Sequence, residues 1–191
     1  MGKLKEEIRR IHIKKRKNMT FFEKEQKDRE IFKKLIELEI FKKALVVLTY
    51  VSVKIEVDTI RFIEYCFKEN KKVFVPVCSK IDGIMNFYFL ENLNQLHFSK
   101  FSLLEPSEKK ENLFKNSNLN ETISIVPGIS FDFFGERIGY GKGFYDRFLK
   151  NFSGFKIGIC YDFNLEKKIK KDIFDIPVDM VLTEKQIIKS R

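Results

Sequence analysis

The first part of the chain has the hydrophobic period of an α-helix. Apolar residues recur at helical spacing among the lysines and arginines of residues 3–17: Leu4, Ile8 and Ile11. This pattern predicts an amphipathic, strongly basic helix. Thr20 and Glu23 then have the spacing of a capping box, which predicts a second helix running to about Glu37.

After these helices the pattern changes to short apolar runs. Residues 44–51 (ALVVLTYV) are typical of a strand buried on both faces. Asp58 can cap a helix that ends near Lys68, and residues 73–77 supply the next strand, so this part predicts a βαβ unit. Further strands are predicted at 84–90, 123–126, 156–160 and 180–182, helices at 143–152 and 184–188, and a loop at 105–121.

Strands that alternate with helices predict an α/β fold. We expect a three-layer αβα domain with a mostly parallel central sheet and a ligand site at the carboxyl ends of the strands. The chain has 191 residues, which suits one well-buried core, so residues 1–191 are predicted to form a single domain.

The positive net charge of the chain is compatible with several classes of anionic partner. The chain has 37 basic and 27 acidic residues, a formal net charge of +10, and such a field attracts polyanions of several kinds. A basic nucleic-acid-binding protein is therefore an alternative, although the sequence has no recognisable recognition helix, aromatic RNA-binding motif or zinc module. Binding that collapses as salt rises would favour that alternative.

The cysteines indicate free thiols. Cys66, Cys78 and Cys160 are widely spaced and are accompanied by only two histidines, His12 and His97, which argues against a zinc site or a disulfide framework. No leader-like segment and no run of about 18 apolar residues occurs. We expect a cytoplasmic protein without a membrane partner.

Glycines concentrate late in the chain. Four of the nine lie within residues 135–143, and Gly139, Gly141 and Gly143 stand at alternate positions directly before a predicted helix. Exposed amides that lead into a helix form an anion site, for which phosphate is the natural occupant. The spacing fits neither a Walker A loop, because Lys142 is followed by glycine, nor a dinucleotide fingerprint.

Charged residues flank these glycines. Arg137 and Lys142 can neutralise a polyphosphate, and Asp146 lies one turn into the predicted helix. Magnesium in nucleotide sites usually takes one or two carboxylates. Asp146 is therefore a candidate magnesium ligand, and the alternative is a glycine-rich turn with a surface lysine and an ordinary helix-start aspartate.

Residues 126–149 (VPGISFDFFGERIGYGKGFYDRFL) resemble the signature of the 5-formyltetrahydrofolate cyclo-ligase family. Segments 51–59 (VSVKIEVDT), 104–106 (LEP) and 174–184 (FDIPVDMVLTE) are similar to further family segments, as is the opening KEEIR at residues 5–9. The likeness runs in order from about residue 3 to residue 188.

This resemblance implies a set of site residues. Those expected at ATP are Lys5, Arg9, Arg137, Ile138, Gly139, Tyr140, Gly141, Lys142, Gly143, Phe144 and Tyr145. Those expected at the folate are Val51, Glu56, Tyr140, Gly141, Lys142, Gly143 and Phe144. Asp146 and Asp175 are expected at Mg²⁺, and the catalytic roles fall to Lys142, Arg137 and Glu56.

The resemblance also implies a reaction. ATP would phosphorylate the formyl oxygen of 5-formyltetrahydrofolate, and ring closure would give 5,10-methenyltetrahydrofolate, ADP and phosphate. The expected partners are these small molecules, with no nucleic acid and with the chain acting as a monomer. Departures from the family pattern are Phe144, Ser102 and Phe174. A nucleotide-dependent enzyme of the same fold with another substrate remains open, and Glu56→Gln leaving folate turnover intact would favour it.

Overall fold

The computed structural model describes residues 2–79, 83–99, 103–115 and 119–190; the side chains of residues 2 and 3 are not described, and Ser102 lies outside these ranges. The helices are α1 (Gly2–Lys17), α2 (Phe21–Glu37), α3 (Glu39–Lys43), α4 (Ile60–Lys68) and α5 (Phe144–Leu149). The strands are β1 (Val46–Leu48), β2 (Lys72–Cys78), β3 (Met85–Leu90), β4 (His97–Phe98), β5 (Leu104–Glu105), β6 (Thr122–Pro127), β7 (Ser130–Asp132), β8 (Arg137–Ile138), β9 (Phe155–Ile159), β10 (Leu165–Glu166), β11 (Met180–Leu182) and β12 (Ile187–Lys189).

A seven-stranded sheet forms the centre, in the order β12-β11-β9-β6-β1-β2-β3. The inner neighbours from β11 to β2 pair in parallel, and the outer strands β3 and β12 are antiparallel to their neighbours. The mostly parallel sheet and the βαβ unit β1-α4-β2 are therefore confirmed. A second sheet, β10-β7-β8, carries the segment that leads to the glycine loop.

Side chains of both faces of the central sheet are buried, as the apolar runs predicted. Val47, Ile123 and Ile157 pack against apolar residues of α2, α3 and α4. Leu48 and Val126, which point to the opposite face, pack with Leu149 of α5 and with Phe131 of β7. Because strand side chains alternate between faces, these two clusters give the three-layer arrangement.

Two local predictions at the chain's beginning differ in outcome. The capping box is confirmed, since Thr20 Oγ1 accepts from the Glu23 amide and Glu23 Oε2 accepts from the Thr20 amide. Helix α1 is present, but its apolar residues do not form the buried face: Leu4 is 56% exposed and Ile11 is 44% exposed. Its inward face is polar instead.

The predicted terminal helix at 184–188 is wrong. Residues Ile187–Lys189 form β12, antiparallel to β11 at the sheet edge. Thr183 Oγ1 accepts from the amides of Lys185 and Gln186, which turns the chain back on itself before a helical turn can form. Within the described part of 105–121, short 3₁₀ turns occupy Lys110–Asn112 and Leu119–Glu121.

Candidate active site

The glycine loop joins β8 to α5. Gly141 has φ 86° and Gly143 has φ 68°, conformations in which a β-carbon would be strained. Within the described part of the chain, none of the backbone N–H groups of residues 139–143 donates a hydrogen bond to the protein. These amides are thus available to a ligand, as the spacing of the glycines predicted.

Arg137 lies beneath this loop and holds Asp146. Its side chain is 6% exposed, and Nη2 donates to Asp146 Oδ1 at 2.8 Å. Its Nε is buried and has no partner in the described structure, and the hydroxyl of Tyr145 is in the same condition. Buried polar groups are nearly always paired, so these two orphaned donors indicate that a polar ligand or water completes the site.

Helix α1 contributes two further cations, Arg9 at the loop and Lys5 at the turn that holds Asp172 and Asp175. Arg9 Nε donates to the Gly139 carbonyl at 2.7 Å. Lys5 Nζ lies 2.6 Å from Asp172 Oδ2 and 2.6 Å from Asp175 Oδ2. Burial alone would lower the pKa of Lys5, but the hydrogen bonds and charges of these two aspartates outweigh it and raise the pKa. Lys5 is therefore charged at neutral pH.

The backbone next to Asp175, one predicted metal carboxylate, contacts Asp146, the other. The Ile176 amide, directly after Asp175, is 3.5 Å from Asp146 Oδ1. No cluster of three or more metal-ligating side chains occurs in the described residues. Magnesium in a nucleotide site needs only one or two carboxylates, with phosphate and water supplying the rest. Asp146 and Asp175 therefore fit a magnesium ion that arrives with a nucleotide.

Glu56 comes from the segment after β1 and faces the same loop. It is 8% exposed, and its Oε2 accepts from the Val53 amide at 3.0 Å. Burial raises its pKa, although the Val53 amide, a side-chain hydrogen bond from Tyr140 and the charge of Arg16 oppose the rise. Tyr140 thus links the carboxylate that follows the carboxyl end of β1 to the glycine loop that follows β8.

The remaining predicted residues occupy different depths. Lys142 is exposed, and its side chain has no ion-pair partner in the described structure. Phe144 and Val51 are half-buried. Ile138 is 1% exposed, so it can offer a ligand its backbone but not its side chain.

Several residues of the site escaped the sequence analysis. Asp172 binds Lys5. Its spacing of three residues from Asp175 could have indicated a turn that brings the two aspartates together, and in the structure the Asp175 amide does donate to the Asp172 carbonyl. Arg147 donates to the carbonyls of Gly83 and Lys142, each at 2.9 Å, which fastens one side of the loop. No motif marks Arg147 before the fold is known.

The cysteines do not belong to this chemistry. Burial raises the pKa of the Cys66 and Cys160 thiols to about 12 and that of Cys78 to about 11. All three are free thiols and stay protonated at neutral pH, so none is an activated nucleophile.

No helix in the described structure has the length and apolar character needed to cross a membrane.

A mostly parallel sheet, a loop with free backbone amides and cations from separate elements make this an α/β protein whose candidate site suits an anionic ligand. The sequence profile of the 5-formyltetrahydrofolate cyclo-ligase family matches residues 2–184, and the chain belongs to that family. The resemblance noted in the sequence is thereby confirmed.

Individual relatives agree with the family match. The Escherichia coli 5-formyltetrahydrofolate cyclo-ligase is 30% identical over 74% of this chain and 79% of its own. The Haemophilus influenzae 5-formyltetrahydrofolate cyclo-ligase is 27% identical over 94% of this chain and 95% of its own. The structure of Aquifex aeolicus 5,10-methenyltetrahydrofolate synthetase superimposes with a TM-score of 0.84 at 32% identity, covering 98% of this chain and 93% of that one. A Mycoplasma pneumoniae 5,10-methenyltetrahydrofolate synthetase shares the fold, with a TM-score of 0.75 at 23% identity.

Proposed function

We propose that this chain cyclises 5-formyltetrahydrofolate to 5,10-methenyltetrahydrofolate at the expense of ATP, and that the site between α1, the glycine loop and residues 51–59 is where it does so. The observation that carries the proposal is that a site suited to phosphate and a buried carboxylate lie next to each other. Free amides and cations suited to a triphosphate lie at one side of Tyr140, and the buried carboxylate of Glu56 lies at the other.

In the proposed reaction the formyl oxygen attacks the γ-phosphorus of ATP, and the bond from that phosphorus to the bridging oxygen of ADP breaks. N10 of the folate then attacks the former formyl carbon, and the C–O bond breaks to release phosphate. No protein nucleophile is needed for either step. Catalysis rests on positioning the reactants and on stabilising charge as the phosphoryl group moves.

Each cation has a position suited to that task. Arg9 lies on the carbonyl of Gly139, Arg137 lies beneath the loop, and Lys142 stands exposed on it. Lys5, also on α1, binds Asp172 and Asp175. We assign all four to the phosphate groups, with Lys142 and Arg137 at the phosphoryl group that is transferred.

Glu56 serves the folate. Its burial beside Tyr140 keeps water away from one carboxylate oxygen, and a carboxylate in such a place can orient the pterin through its N–H groups or accept a proton when N10 attacks. We assign Val51 and Phe144, which are half-buried, to the apolar surface of the folate site.

Magnesium would be held by Asp146 and Asp175 together with the phosphates, where it would neutralise charge on the nucleotide. The free, protonated thiols suit a reducing compartment, so we place the protein in the cytoplasm. We further propose that it acts as a monomer on small molecules, not on nucleic acid.

The test is a turnover assay. Purified protein is mixed with 5-formyltetrahydrofolate, magnesium and ATP, and the absorbance of the methenyl product is followed against a control without ATP. Product is expected only with ATP. Absence of product, together with no measurable affinity for magnesium nucleotide by calorimetry, would refute the proposal. ATP binding without folate turnover would instead support an enzyme of this fold with another substrate.

A further inference from the structure

The inward face of α1 is a polar stripe. It consists of Lys5, Arg9, His12 and Arg16, which recur at helical spacing on one side of the helix. His12 is 1% exposed and Arg16 is 4% exposed, and they are the only fully buried side chains among those described in α1. No apolar side chain described in α1 is fully buried, so polar bonds attach the helix along its length: those of Lys5 and Arg9 in its first half and those of His12 and Arg16 in its second.

These bonds form one connected network around Asn164. Arg16 Nε donates to Asn164 Oδ1 at 2.9 Å, and because a guanidinium can only donate, this bond fixes the orientation of the amide. The Asn164 amide nitrogen then donates to His12 Nδ1 at 2.8 Å. The His12 proton consequently resides on Nε2, which donates to Glu166 Oε1 at 2.6 Å. Each side-chain atom of this network therefore has one consistent assignment, either as hydrogen-bond donor or as acceptor.

The same network reaches the glycine loop. Arg16 Nη2 donates to the carbonyls of Gly128 and Ile129, at 2.6 and 3.1 Å. The Ile129 amide in turn donates to the carbonyl of Ile138, at 2.7 Å, and the loop begins one residue later. Two hydrogen bonds thus connect Arg16 of α1 to the last residue before the loop.

We propose that His12 and Arg16 are positioning residues, which fix α1 against the segment leading to the glycine loop and thereby hold Lys5 and Arg9 at the nucleotide phosphates. This inference rests on the proposed function. Arg9 and Lys5 lie about one and about two turns towards the amino terminus from His12, on the same stripe. Leu4 and Ile11 are exposed and Ile8 and Ile13 are only half-buried, so breaking the network removes the fully buried attachment of the described helix and should loosen its position.

The main test is His12→Leu, which puts an apolar side chain of similar size in place of the imidazole and removes both of its hydrogen bonds. We expect the KM for ATP and the calorimetric Kd for magnesium nucleotide to rise about tenfold, the equivalent of one lost charged hydrogen bond. At saturating ATP, kcat and the KM for 5-formyltetrahydrofolate should stay within about twofold, because the folate side is untouched. Amides of α1 should exchange hydrogen faster, and added nucleotide should restore part of their protection.

Ile11→Ala is the matched control, since Ile11 lies on the outer face of the same helix and is 44% exposed. It should leave both KM values and the nucleotide Kd unchanged. If His12→Leu fails to fold, Glu166→Ala removes the outer partner of His12 from a side chain that is 36% exposed and should raise the nucleotide Kd about threefold.

A folded His12→Leu or Glu166→Ala protein with unchanged nucleotide Kd would overturn the inference, as would an equal loss in kcat and in both KM values. Failure of the unmodified protein to bind nucleotide would instead contradict the proposed function, so the two failures are distinguishable.

Discussion

Gly139→Ala perturbs the site at one defined contact. A β-carbon at this position would lie 2.6 Å from Arg137 Nη1, whereas ordinary contacts begin at about 3.4 Å, so the guanidinium must retreat by about 0.8 Å. Gly139 does not have positive φ, so the backbone itself resists the substitution less than it does at Gly141 or Gly143. The main expected damage is to the pair between Arg137 and Asp146.

The size of the effect follows from two opposing contributions. Weakening a hydrogen bond between charged groups costs about 1.5 to 3 kcal/mol. Replacing glycine by alanine restricts the unfolded chain and returns about 0.4 to 1 kcal/mol. We therefore expect the nucleotide-free protein to lose about 1 to 2 kcal/mol in its free energy of unfolding, and MgATP affinity to fall about tenfold because Arg137 has moved.

The assay is urea unfolding of four proteins: the unmodified chain, Gly139→Ala, Asp146→Asn and the double variant. In the Asp146→Asn background the ion pair is already broken, so only the unfolded-chain contribution remains and Gly139→Ala should become neutral or slightly stabilising. If Gly139→Ala destabilises both backgrounds equally, the damage does not pass through this pair and the reasoning is wrong.

Three further predictions concern other residues. Because burial raises the pKa of Glu56 above its ordinary 4.5, kcat/KM for the folate should rise with pH as this carboxyl ionises; Glu56→Gln should remove that acid limb and lower kcat/KM about 100-fold, measured as a pH profile. Lys142→Met should lower kcat about 100-fold in the turnover assay with unchanged urea unfolding, because its side chain is exposed and unpaired within the described structure. Thr20→Ala should cost about 1 kcal/mol in urea unfolding through loss of the capping box.

Each of these has a contrary outcome. An acid limb that persists in Glu56→Gln would assign it to another group. Unaltered turnover in Lys142→Met would remove this residue from catalysis, and Lys150→Met, at an exposed lysine beyond α5, is its matched control. An unchanged free energy of unfolding in Thr20→Ala would contradict the contribution of the cap. Phe22→Ala is the control, because Phe22 is exposed and is not the cap residue.

Sequence patterns were most informative where one interaction decides the structure. The run at 44–51 predicted a buried strand because both faces of β1 are covered, and the Thr20 cap was predictable because its partners are three residues apart. The glycines similarly predicted a loop with free amides, and two of the three alternate glycines do have positive φ.

Predictions failed where distant residues decide. The inward face of α1 could not be read from its apolar residues, because Asn164 and Glu166, more than 140 residues away, make a polar face the buried one. Edge strand β12 depends on pairing with β11, and local propensity alone favoured a helix there. The partners of Lys5 likewise depend on a turn at the other end of the chain.

The ion pairs around the glycine loop have a consequence for how ligands enter. Arg137 holds Asp146 and Lys5 holds Asp175, so two of the four cations assigned to phosphate each neutralise a carboxylate assigned to metal. Metal-free nucleotide would draw Arg137 and Lys5 away and leave two carboxylates facing its phosphates. Metal alone would leave Arg137 without its carboxylate and Lys5 with Asp172 only. When nucleotide and metal arrive as one complex, each of the two cations can exchange its carboxylate for phosphate and each carboxylate can exchange its cation for metal. Free ATP should therefore compete poorly against MgATP.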